Sequence, residues 1–142
     1  MSKNSFFEQR GPFPLSKIIE ITGSKTEINK KNNFKILNFE PLDKASDNDI
    51  TFLNSNKYHH LSSITKAAAC ISTKNFFKLL PEKCVKIEVK NVLFAVTQVA
   101  KLFFPNADID FPDNYLSNTE NVKNLYPGVI FGKNVLIGKN VK

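Results

Sequence analysis

Cysteine is scarce in this chain. Cys70 and Cys84 are the only two among 142 residues, too few for the disulfide framework of a small secreted domain. Each lies inside a β-like run, where a free thiol acts as a small core residue. Long apolar runs are missing as well. The longest, Ala67 to Ile71 and Val92 to Val96, fall far short of the ~20 residues that span a bilayer, so no transmembrane helix is expected. The opening segment, Met1 to Arg10, carries charge and two Phe residues. It has no apolar core of roughly 7 to 15 residues and no small-residue cleavage site, so it does not read as a secretory signal; a cytoplasmic location is the default expectation. Nor is positive charge clustered. The net charge is +7, yet the lysines are scattered, with Lys30 and Lys31 the only adjacent pair. That distribution argues against a nucleic-acid partner and leaves open a basic surface that meets an acidic carrier protein or substrate. What is present is the balance of a folded globular protein, 42% apolar and 23% charged. The length suits one domain burying roughly 70% of its unfolded surface, with an appendage.

Along the chain the apolar pattern switches period repeatedly. Leu15, Ile18, Ile19 and Thr22 recur at helical spacing, and Gly23 suits the C-terminal stop. Phe34 to Phe39 reads as a strand closed by Pro41, and an Asp- and Ser-rich turn follows over 43–49. Ile50 to Leu53 is a short strand that breaks into Asn54-Ser55-Asn56, and Lys57 to Ile64 suits a short helix. Ala67 to Ser72 is apolar or small on both faces, the mark of a strand covered from both sides. Phe76 to Leu80 is a brief helical turn. Val85 to Val89 alternates strictly, and Asn91 then caps a helix in which Val92, Ala95, Val96, Val99, Leu102 and Phe103 form the apolar stripe until Pro105. Alternating helices and strands predict a small α/β domain over residues 1–105, and the polar, aperiodic stretch 106–124 predicts a linker.

The tail divides into sixes: Leu125 to Ile130, Phe131 to Leu136 and Ile137 to Lys142. Leu125, Phe131 and Ile137 open each six, and Val129, Val135 and Val141 take the fifth place. A β-hairpin asks for period two, whereas this recurrence predicts the first coil of a left-handed parallel β-helix over 125–142, with Gly and Asn at its corners. One coil cannot close its own core. More chain beyond Lys142, or partners from other copies, is therefore expected.

The segment Asp49-Ile50-Thr51-Phe52-Leu53-Asn54-Ser55-Asn56-Lys57-Tyr58, followed by those hexads, resembles the UDP-3-O-acylglucosamine N-acyltransferases of lipid A synthesis. The Leu15 to Gly23 helix, the Ala67 to Ser72 strand, the Asn91 to Phe104 helix and the hexads occur in the family's order. The resemblance implies a uridine-binding N-terminal domain in which Phe52 and Tyr58 sandwich the uracil ring, with Lys57 beside the Tyr. Where the family has an Asn that reads the uracil edge, this chain has Ser55, flanked by Asn54 and Asn56. A hydroxyl lacks the amide's paired donor and acceptor, so any of Asn54, Ser55 and Asn56 could read the base. Physics independent of the family allows the pairing, since two aromatics on either side of a strand-to-helix loop can face one another, and a stacked base is worth roughly 1 to 3 kcal/mol. From the alternation of Ile50 and Phe52 alone, core packing is the competing reading of Phe52.

The resemblance further implies transfer of a 3-hydroxyacyl group from acyl carrier protein to the 2-amine of UDP-3-O-acylglucosamine, by a homotrimer and without a cofactor. The family's general base is a His deep in the β-helix, with no counterpart in this chain, so no catalytic residue is expected here. His59 and His60 read as solvent-facing or capping residues, and nothing is spaced to complete a metal site with them. Gly23-Ser24-Lys25-Thr26 lacks the earlier glycine of a phosphate-binding loop. The alternatives are a nucleotide-sugar-binding module without turnover, or another hexapeptide-repeat nucleotide-sugar transferase.

Overall fold

The computed structural model describes residues 8–29, 33–105, 107, 117–118, 126–130 and 136–137. The chain divides into two compact units, Met1–Asp108 and Ile109–Lys142. Within the first, β1 (Phe13–Pro14) leads directly into α1 (Leu15–Thr22), and Gly23 ends that helix at φ 63°, a left-handed conformation that a side chain would strain. β2 (Lys35–Ile36) pairs antiparallel with β1. After Leu37, whose N–H turns to Asn48 O, the chain changes partners, and β3 (Asn38–Phe39) joins a different sheet. The single strand expected over Phe34 to Phe39 is therefore two short ones, because the segment serves two sheets.

That second sheet is parallel, in the order β3, β4 (Asp49–Leu53), β5 (Ala69–Ser72) and β6 (Val85–Glu88). A 3₁₀ turn (Asn56–Tyr58) and α2 (His59–Ile64) connect β4 to β5. A second 3₁₀ segment (Lys74–Leu79) connects β5 to β6, and α3 (Val92–Phe103) follows. The first unit is thus the mixed α/β architecture that the alternating pattern predicts. Asn91 caps α3 as expected, its Oδ1 accepting from Phe94 N–H at 3.1 Å.

Two apolar clusters hold the sheet. The larger joins Leu15 and Ile18 of α1 to Ile50, Ile71 and Ile87 of the sheet and to Val99 and Phe103 of α3. The smaller joins Leu42, Leu53, Cys70, Leu80 and Cys84. β5 is buried along its whole length because successive side chains go to opposite sides: Ala69 and Ile71 enter one cluster and Cys70 the other.

Among the described residues, Thr51 Oγ1 is the buried side-chain polar atom without a hydrogen-bond partner. A desolvated hydroxyl with no partner is a cost that an isosteric methyl removes. Thr51→Val is accordingly expected to raise stability by about 1 kcal/mol, read from the urea midpoint. A loss of stability would show that the hydroxyl has a partner after all.

Both thiols are free and buried. Burial pushes the Cys70 thiol upward, with the neighbouring Cys84 adding to it. Burial also lifts Cys84, to about 11, against the opposing pull of Lys86 and Lys83. A thiol whose folded value exceeds its unfolded value keeps its contribution below the unfolded value of 9.0 and loses it as pH rises through the folded one. Stability should therefore decline between pH 9 and about 11. Urea melts across that range should show a shallower decline for Cys84→Ala than for the parent chain; equal slopes would rule the thiol out as a cause.

In the second unit, Tyr126-Pro127-Gly128-Val129 forms a turn, with Val129 N–H donating to Tyr126 O at 3.3 Å and Gly128 at φ 88°. Pro followed by a positive-φ Gly is the signature of a type II turn. β7 (Ser117–Asn118) pairs antiparallel with β8 (Leu136–Ile137). Apart from 126–130 and 136–137, the hexads lie outside the described residues, and so does the coil expected of them. Most of the expected linker, 106–124, lies outside as well. No helix among the described residues is long and apolar enough to cross a membrane.

Candidate functional site

The ends of neighbouring parallel strands are where a sheet of this kind can open a crevice, because the chain leaves each strand in a different direction. Such a crevice lies past the C-terminal ends of β3 and β4: a cleft of about 620 Å³. Leaving β3, the chain contributes Phe39, Glu40 and Asp43; leaving β4, it contributes Phe52, Asn54, Ser55 and Tyr58. Leu61 of α2 and Leu93 of α3 complete an apolar lining.

Phe52 is half-buried at the top of β4 and packs against the larger apolar cluster, so its core role and its place in the cleft coexist. Its ring is stacked on that of Phe39, with centroids 6.0 Å apart and planes inclined by 15°, an arrangement that aromatic quadrupoles favour when the rings are offset. Tyr58 approaches from the 3₁₀ turn. Ser55, in extended conformation, starts that turn by accepting Lys57 N–H on its Oγ at 3.3 Å, and Tyr58 N–H donates to Ser55 O at 3.3 Å. Tyr58 is 51% exposed, one of the few large apolar side chains left open to solvent.

Of the five residues that sequence reasoning singled out for base binding, Phe52, Tyr58, Ser55 and Asn54 line one cleft. Asn56 does not. It opens the 3₁₀ turn and is exposed, and its carbonyl oxygen lies 3.3 Å from His59 Nδ1. Lys57 is also exposed and absent from the lining. His59 and His60 are exposed with their rings edge to face at 5.8 Å, and neither lines the cleft. Among the described residues no group of three or more His, Cys, Asp or Glu could hold a metal ion.

Phe39, Glu40, Asp43 and Leu93 were not foreseen as site residues. The lining contains two carboxylates and no Lys or Arg. Glu40 is half-buried and accepts a hydrogen bond of 2.6 Å from Asn38 Nδ2. Asn38 Oδ1 in turn accepts from Phe39 N–H at 2.8 Å, so the amide is held from both ends. Flat aromatic faces, apolar walls and a few polar groups make a cleft suited to a planar heterocycle carrying hydrogen-bonding edges.

Residues 33–102, which contain every lining residue named above, match the family model described as UDP-3-O-(3-hydroxymyristoyl) glucosamine N-acyltransferase, LpxD. A relative named UDP-3-O-acylglucosamine N-acyltransferase from Rickettsia prowazekii (strain Madrid E) is 33% identical over 105 residues, which cover 73% of this chain and 30% of the relative. The protein of the same name from Rickettsia akari (strain Hartford) is 34% identical over 105 residues, with the same coverage. That from Rickettsia rickettsii (strain Sheila Smith) is 33% identical over 104 residues, again 73% and 30% of the two chains. The chain thus spans about 30% of the length of the curated relatives it matches. On this match, and on the strand-to-loop segment that carries Phe52 and Tyr58, the chain belongs to the UDP-3-O-acylglucosamine N-acyltransferase family.

Proposed function

We propose that this chain supplies the uracil-binding part of an N-acyltransferase of lipid A biosynthesis. The enzyme would move a 3-hydroxyacyl group from acyl carrier protein to the 2-amine of UDP-3-O-acylglucosamine. The observation that carries this reading is the meeting of Phe52, Tyr58, Asn54 and Ser55 around one cleft. A base enters between the aromatic faces, its edge toward the polar loop, and the ribose and diphosphate leave toward solvent, since the lining offers them no cation.

In the reaction, the sugar amine attacks the thioester carbonyl, the tetrahedral oxyanion collapses, the carrier's thiol departs and an amide remains. A general base takes the amine proton, and hydrogen-bond donors hold the oxyanion. The cleft would contribute orientation, holding the nucleotide end so that the amine lies at a fixed distance from it. By the family resemblance, the base is a His of a β-helix and the assembled enzyme is a cytoplasmic homotrimer. The 142 residues alone are expected to bind without turning over.

The second reading, a nucleotide-sugar-binding module without acyl transfer, draws on the lack of any His in the cleft lining. Both readings require a uridine site. Calorimetric titration of the chain with UDP-N-acetylglucosamine is expected to give saturable binding that uridine nucleotides displace and adenosine nucleotides do not. Displacement by both alike, or no saturable binding, would overturn them together.

A further inference from the structure

Uracil presents O2 and O4 as acceptors with N3–H as a donor between them, whereas cytosine has a lone pair at N3 and an amino group in place of O4. A protein separates the two bases with an acceptor aimed at N3. In the cleft, Ser55 Oγ already accepts from Lys57 N–H, which leaves its O–H to donate. The lining carboxylates are pure acceptors, and they differ from one another. Asp43 is exposed, with no side-chain hydrogen bond to hold it among the described residues. Glu40 is half-buried one residue beyond Phe39, and its Oε1 is held at 2.6 Å by the Asn38 amide, whose own orientation is set by Phe39 N–H. Among the described residues no cation pairs with Glu40.

We propose that Glu40, positioned by Asn38, selects uracil over cytosine by accepting its N3–H, while Ser55 and Asn54 donate to the flanking carbonyls. The proposal rests on the base-binding reading of the cleft. A hydrogen bond to an ionised acceptor is stronger than one between neutral groups. Against cytosine the same carboxylate meets a lone pair, so the wrong base suffers repulsion as well as a lost bond.

The test is titration of the 142-residue chain with UDP, CDP and N3-methyl-UDP. UDP is expected to bind at least about tenfold more tightly than either competitor. In Glu40→Gln the gap between UDP and CDP should close to within about threefold, because the Gln amide can accept from uracil or donate to cytosine. Asn38→Ala should narrow the gap while the carboxylate remains, and its unfolding curve reports whether the domain is intact. An unchanged UDP-to-CDP ratio in Glu40→Gln, or closure of the gap by Asp43→Asn instead, would overturn the assignment. If Phe52→Ala weakened UDP binding in that case, the base-binding reading would survive and only the role of Glu40 would fall. Failure of UDP to bind the parent chain would overturn both.

Discussion

Removing the Phe52 ring is expected to weaken UDP-N-acetylglucosamine binding by about 5- to 150-fold, which is what one lost stacking face of roughly 1 to 3 kcal/mol amounts to. The side chain has two duties. It packs against the larger apolar cluster and it lines the cleft, so Phe52→Ala alone confuses lost stacking with lost packing. Phe52→Leu separates them: it keeps apolar bulk in the cluster and removes the π face. Affinity should fall in both variants, whereas the urea midpoint should fall mainly in the Ala variant. Tyr58→Ala should cost a similar factor with little change in stability, since Tyr58 is half exposed and belongs to neither cluster. Tyr58→Phe should retain most of the affinity. Two variants, Phe52→Leu and Tyr58→Ala, that fold and bind as the parent does would refute the stacking site.

The largest effect on folding is expected from Phe103→Ala. Phe103 is fully buried at the end of α3, and its ring meets Phe13 edge to face at 5.1 Å and 82°. Its carbonyl accepts Arg10 N–H at 2.8 Å. The ring also closes over Gly11, where an added Cβ would lie 3.3 Å from the Phe103 ring; Gly11 has φ 130°. One aromatic therefore ties the N-terminal segment and β1 to the end of α3. Truncation to Ala should cost about 3 to 5 kcal/mol, the usual loss for a buried aromatic with its cavity, measured by urea denaturation with the slope unchanged. A loss under about 1.5 kcal/mol would mean that the neighbours collapse into the space, contrary to a rigidly packed corner.

Local chemistry made much of the first unit legible in the sequence. α1 with Gly23 at its end, α3 with Asn91 at its start, and the β4 strand breaking at Asn54 each follow from signals within a few residues. The loop residues Phe52, Ser55 and Tyr58 were named through the family resemblance, whose motif lies on one continuous segment, whereas local pattern alone favoured a core role for Phe52. Phe39, Glu40 and Leu93 were not legible, because they reach the cleft through the parallel pairing of β3 with β4 and the packing of α3, and no periodicity reports which strand will lie beside which. β1 escaped notice for a similar reason. Phe13–Pro14 has no alternation of its own and is a strand only through its pairing with Lys35–Ile36. Asn56 shows the opposite failure. Ser55 before it and Tyr58 two residues after it line the cleft, but Asn56, like Lys57, lies on the 3₁₀ turn outside the lining.

The stack of Phe39 on Phe52 bears on how a base is captured. One wall of the cleft carries a ring already packed on a neighbouring ring, whereas Tyr58, which also lines the cleft, stands exposed on a short turn. Ordering a mobile side chain costs about 0.5 to 1.5 kcal/mol of the binding energy, and of the two aromatics at the proposed base site that entropic cost would fall on Tyr58. The cheapest route to tighter binding is therefore to stiffen the turn that carries the tyrosine, leaving the phenylalanine pair as it is.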